Sequence, residues 1–168
     1  MQPKPITFPT DAELLHAAVK GLNRLARRHG VRLRQSYARV DKAAAMMASR
    51  YAHAKQFRRH QQQLRILRSR LGRIIRDIPR NIDGQPALEE AFALPLGRAA
   101  QIRSQQRQRG WKLYSFHAPE VECIGKAKAA APYELMAWTT PALSGKVEPQ
   151  QEERKPCPIR TLSRSVSI

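Results

Sequence analysis

Between Ser36 and Ile78 the chain carries no proline and a single glycine, Gly72. So long a run without a breaker leaves helix as the only regular structure that suits it, and the apolar spacing agrees. The first half places Tyr37, Val40, Ala44, Met47, Tyr51 and Ala54 on one face. The second half places Phe57, Leu64, Leu67, Leu71, Ile74, Ile75 and Ile78 on another. At about 100° per residue the two arcs do not coincide. The expectation is a long helix with a bend or irregularity within "QFRRHQQQ", closed by Pro79.

The same run is devoid of acid: no Asp or Glu stands between Lys42 and Arg76. Arg58, Arg59, Arg65, Arg68, Arg70, Arg73 and Arg76 take the arc that the Leu/Ile stripe leaves free. Such a helix can seat its apolar face on the protein and lay guanidinium groups along a phosphate backbone, where the planar fork donates two hydrogen bonds to one phosphate. The whole chain tends the same way. With 31 Lys+Arg against 13 Asp+Glu, its net charge is +18 and its pI near 11.2. A compact body this basic repels itself unless a polyanion neutralises it, so nucleic acid is the first partner to consider. A merely solvated basic face, or one that binds an acidic protein, is the alternative. Leu, Ile, Val and Phe make up about a fifth of the chain, which suffices for a modest helical core but lies near the composition at which chains stop folding alone.

Ahead of the basic run, Thr10 and Glu13 form a capping-box pattern before Leu14 and Leu15. A helix is expected from Asp11 to His29, with Leu14, Leu15, Ala18, Leu22, Leu25 and Ala26 on its apolar stripe and Gly30 as its left-handed stop. After Pro79, Asp83-Gly84 marks a turn. A short helix follows from Pro86, with Pro95 and Gly97 expected to interrupt or end it. "WKLYSFH" and "PEVECIGK" alternate like two short strands joined around "HAPE". From Met136 onward four prolines and scattered serines replace any periodicity, as in a disordered tail.

Little else carries chemistry. The five histidines show no metal-ligand spacing, and Glu120 with Glu122 lacks a third acid or a partner base. Cys123 and Cys157 have no CxxC spacing, which excludes a zinc site of that kind and fits a reduced protein inside the cell. No apolar run is long enough to span a membrane, and no basic-then-apolar signal opens the chain. No catalytic residue and no metal ligand can be assigned.

Four stretches in order, "ITFPTDAELLHAAVKGLNRLARRHG", the long basic helix, "GQPALEEAFALPLGRAAQIRSQQ" and "YSFHAPEVECIGKAKAAAPYE", resemble the DDE transposases of bacterial insertion sequences, the group numbered five and its relatives. The family's Pro-Thr-Asp-x-x-Leu-Leu pattern corresponds to Pro9, Thr10, Asp11, Leu14 and Leu15. Its Glu-x-Ile-x-Lys-Gly-Lys-x-x-x-Pro-Tyr-Glu motif corresponds to Glu122, Ile124, Lys126, Lys128, Pro132, Tyr133 and Glu134, with Ala127 in place of the glycine. Beyond Glu134 the family's Phe-Gly-x-Lys gives way to Leu135, Met136, Ala137 and Trp138.

The resemblance implies a fragment of an RNase H-like α/β transposase core that is mainly α with a small β part. The expected parts are an extended opening segment over 1–10, a basic helical region over 11–109, a β-hairpin remnant over 110–135, and a disordered, frameshifted tail over 136–168. Intact relatives hold two divalent ions, magnesium or manganese, on three carboxylates. All three lie outside the matching stretch, so the implied protein is an inactive remnant without cofactor. It would keep non-specific contact with the DNA backbone through the seven arginines, act in the bacterial cytoplasm at the nucleoid, and take no small-molecule substrate. The remaining readings are a small non-enzymatic helical RNA- or DNA-binding protein and an inhibitor that associates with intact transposase.

Overall fold

A computed structural model describes residues 9–105, 112–125 and 133–137. The described residues are mainly helical. Helix α1 covers Asp11–Arg28, α2 Ala38–His53, α3 Phe57–Ile82 and α4 Pro86–Ser104, and a two-stranded antiparallel sheet pairs β1 (Val121–Gly125) with β2 (Tyr133–Ala137).

Helix α1 begins at the expected box. The Glu13 amide donates to Thr10 Oγ1 at 3.3 Å, and the Thr10 amide donates to Glu13 Oε2 at 2.8 Å. It ends one residue earlier than expected, with His29 as the cap, and Gly30 follows at φ +69°. Ala12, Leu15, Ala18, Val19, Leu22 and Ala26 form its buried stripe.

The long helix is two helices. The chain reverses over Ala54, Lys55 and Gln56, where Lys55 takes the left-handed conformation at φ +56°. A non-glycine residue there costs about 1–2 kcal/mol. The offset apolar arcs explain why the reversal is worth that cost: folding α3 back on α2 turns the Leu64–Ile78 stripe and one side of α2 inward. His60 Nδ1 donates to the Ala48 carbonyl at 2.9 Å near the bend, and Arg73 Nη1 reaches the Tyr37 hydroxyl at 3.2 Å at the far end, so the pair is antiparallel. The inward face of α2 also differs from expectation. It buries Asp41, Ala44 and Ala48, whereas Val40 is 49% exposed; at the start of α3, Phe57 is 53% exposed.

Two proline expectations are corrected as well. Helix α3 continues through Pro79 to Ile82, which is buried. Helix α4 runs unbroken past Pro95 and Gly97 because Phe92, Ala99 and Ile102 share one buried face on both sides of them. Asp83-Gly84 makes the turn, with Gly84 at φ +79°.

The strand partner also changes. Residues 112–116 form no strand; Leu113 and Phe116 instead enter the helical core. Phe116 lies so close to Gly21 of α1 that a Cβ there would sit 2.1 Å from Cε1 of its ring. β1 pairs with β2 in the register Val121↔Ala137 to Gly125↔Tyr133, so the sheet takes in Met136 and Ala137, expected to open the tail. Cys123, expected as a thiol, is disulfide-bonded. Cys157, residues 1–8 of the expected opening segment and the tail from 138 onward lie outside the described residues.

Among the described residues no helix is long and apolar enough to cross a membrane, and no group of three or more His, Cys, Asp or Glu is placed to hold a metal ion.

Candidate nucleic-acid interface

Helix α3 buries Leu64, Leu67, Leu71, Ile74 and Ile78 along one side. At about 100° per residue, Arg58, Arg65, Arg73 and Arg76 fall within a sector opposite that side, separated along the axis by about 27 Å from first to last. All four are exposed. Arg58, Arg65 and Arg76 make no ion pair or hydrogen bond among the described residues, and Arg73 spends one nitrogen on the Tyr37 hydroxyl.

The other three arginines of the sequence list serve the fold. Arg70 donates to Oδ1 of Asp41 at 2.9 Å, and its guanidinium stands 5.8 Å from the Tyr37 ring centre. Asp41 is 0% exposed, and burial pushes its carboxyl above its ordinary value while Arg70 pulls it back. Arg68 lies 3.6 Å from Asp11 at the start of α1. Arg59 donates to Gln56 and sits over the Tyr51 ring, at 5.9 Å from its centre. The structure therefore separates the expected seven into four that face outward together and three that are turned to neighbours.

Two further arginines extend the outward group. Between the α1–α2 loop and the C-terminal half of α3 lies a cleft of about 590 Å³ lined by Arg34, Gln35, Tyr37, Arg73, Ile74, Arg76, Asp77 and Arg80. Its loop wall is pinned: the Arg34 amide donates to Asp77 Oδ2 at 2.7 Å, and Asn81 Nδ2 donates to the Arg32 carbonyl at 3.0 Å. Asp77, the acid among these lining residues, is thereby engaged with the backbone. Arg73, Arg76 and Arg80 recur at three- and four-residue spacing on one face. Arg80 was open to sequence reading as the next member of that series, but it was hidden by ending the helix at Pro79. Arg34 had no such signal, since only the fold brings its loop to Asp77.

The arrangement can hold closely spaced phosphates. Guanidinium groups keep their charge at every physiological pH, and the site offers donors and no exposed uncommitted carboxylate among its lining residues.

No protein-family model matches the chain. No solved structure matches it. Over 57 residues, 34% of its length, the chain is 54% identical to a Rhizobium meliloti protein described as "Uncharacterized protein ORF8 in nfe locus". The aligned stretch spans 28% of that protein.

Proposed function

We propose that the protein binds the phosphate backbone of DNA along the outward face of α3 and into the adjoining basic cleft. The carrying observation is that Arg58, Arg65, Arg73 and Arg76 share the exposed face opposite the core, three of them unpaired among the described residues. The net charge of +18 supports a polyanionic partner, since long-range attraction adds to each contact. The resemblance supports DNA over other polyanions. On that reading the described helices correspond to the basic helical part of an insertion-sequence transposase's RNase H-like core, and none of the residues that carry the resemblance is one of that family's strand-transfer carboxylates.

The test compares wild type with the Arg58→Gln/Arg65→Gln/Arg76→Gln variant by fluorescence anisotropy on labelled duplex DNA. None of the three side chains supports the core, so circular dichroism should be unchanged. Binding should weaken by about 10-fold or more at moderate salt. Equal affinity of the two proteins would refute the proposal. Incubated with magnesium or manganese, wild-type protein should leave supercoiled DNA uncut.

A further inference from the structure

A second cleft, of about 540 Å³, lies between the N-terminal part of α2 and the His16–Arg27 part of α1. Lys20, Arg24, Arg27 and Lys42 line it, and all four side chains are exposed. At its edge, α2 begins without a side-chain cap: Tyr37 is the cap residue, held left-handed at φ 52°, and the first backbone hydrogen bond is Asp41 N–H to the Tyr37 carbonyl. The amides of Ala38, Arg39 and Val40 thus have no partner within the helix and add a partial positive charge to the cleft.

Asn23 supplies an independent observation. It lines the same cleft, is 5% exposed, and donates through Nδ2 to the Ser36 carbonyl at 2.7 Å. That bond fixes which way the amide faces, and its Oδ1 is left buried without a partner. His16 Nδ1, two turns earlier on α1 and also lining the cleft, is likewise buried and unpartnered. Burial lowers the His16 pKa, so the neutral ring has a donor and an acceptor to offer. A buried polar atom without a partner costs about 1–3 kcal/mol, and Asn23 Oδ1 and His16 Nδ1 on one cleft call for a polar ligand, with a donor for the Asn23 acceptor.

We infer that the cleft between α1 and α2 is a nucleotide site, taking phosphate against Arg24, Arg27, Lys42 and the α2 N-terminus and a base donor at Asn23. Its volume lies in the range of single-ligand pockets, about 300–1,000 Å³. The nucleotide is either free or one unit of a single strand. This rests on the nucleic-acid reading only for the second source; the stripe on α3 and this cleft share no residue, so separate variants test them. No small-molecule ligand was expected from the sequence.

The experiment crosses two charge-matched variants of the full chain, Arg24→Gln/Arg27→Gln/Lys42→Gln in the cleft and Arg58→Gln/Arg65→Gln/Arg76→Gln on α3. Each is titrated with a short labelled single strand, the matching duplex and adenosine monophosphate as competitor. The cleft variant should weaken single-strand binding by about 10-fold while duplex binding changes by less than about 3-fold. Displacement of the strand by adenosine monophosphate identifies the free nucleotide as a ligand; a strand-selective loss without displacement identifies the strand. Equal losses on both nucleic acids, with no competition, would overturn the cleft assignment. An unaffected duplex titration of the α3 variant would overturn the stripe and leave the cleft standing.

Discussion

Replacing Arg70 by Met separates what an arginine does for the fold from what it does for a ligand. Asp41 is wholly buried, and Arg70 is the cation at hydrogen-bond distance, 2.9 Å from Oδ1; Oδ2 has no partner. The methionine keeps most of the aliphatic packing but leaves a carboxylate stranded between α2 and α3. Removing one member of a buried pair costs about 3–5 kcal/mol, because the remaining charge is desolvated without compensation. Against a total stability of about 5–15 kcal/mol for a domain, that is a large fraction.

The pH dependence fixes the cause. Burial raises the Asp41 pKa above its ordinary value, and the hydrogen bond and charge of Arg70 lower it. A carboxyl whose folded pKa is raised contributes stability below its unfolded value and loses it as pH climbs through the folded value. Losing Arg70 raises the folded pKa further and widens that window upward. The deficit of Arg70→Met should therefore be largest well above the raised folded pKa and shrink as the pH is lowered through it, where the stranded group takes up a proton. Urea unfolding followed by circular dichroism measures both. Asp41→Asn/Arg70→Met, which removes the charge, should regain about 2 kcal/mol over the single variant. Duplex affinity, measured below the unfolding range, should stay within about 2-fold of wild type, since Arg70 is turned to Asp41. A deficit under about 1 kcal/mol, or one that does not shrink in acid, would refute the reasoning.

The four outward arginines of α3 should give log K against log salt a slope of about −3.6 on duplex DNA, and up to about −5.4 if Arg34 and Arg80 of the cleft also engage, so affinity should fall at least roughly 100-fold between about 50 and 200 mM salt; a flat titration would contradict backbone contact. Arg76→Gln alone should make that slope shallower by about 1, read from the same anisotropy series. Gly21→Ala puts a Cβ into the Phe116 ring and should undock residues 112–116 at a cost of about 1–3 kcal/mol, visible as faster amide exchange there with α1 still protected. Lys55→Gly relieves the left-handed residue at the α2–α3 reversal and should raise stability by about 0.5–1 kcal/mol in urea unfolding.

How far the sequence could be read depended on whether the deciding signal was local. Thr10, Glu13 and Gly30 mark both ends of α1 within their own turns, and the structure keeps them to within a residue. The apolar positions Leu64, Leu67, Leu71, Ile74 and Ile78 told which side of α3 is buried for the same reason. The reversal at Ala54–Gln56 has no glycine or proline; Lys55 is forced left-handed by the gain from packing α2 on α3, which no local pattern expresses. Pro79 and Pro95 misled in the opposite direction. Each removes one helical hydrogen bond, but Ile82 beyond the first and Ala99 and Ile102 beyond the second gain burial only if the helix continues. The true partner of β1 was missed because Tyr133–Ala137 straddles the point where periodicity fades, whereas "WKLYSFH" alternates well but gives Leu113 and Phe116 to the helices.

The seven arginines show the limit for a binding surface. Their free arc was legible because the Leu/Ile stripe of α3 leaves them the opposite side of the helix. Which ones are spent was not, because the neutralising acids come from other helices: Asp41 lies 29 residues before Arg70, and Asp11 at the start of α1 pairs with Arg68. With no acid of its own between Lys42 and Arg76, α3 draws Asp11 and Asp41 from α1 and α2 to offset the two cations nearest the core boundary. The supply ends there on this helix: Arg58, Arg65 and Arg76 meet no carboxylate among the described residues. Their mutual repulsion is therefore relieved only by ions or a ligand from outside, and the term that limits the stability of the free protein is the one that would drive its association with phosphate.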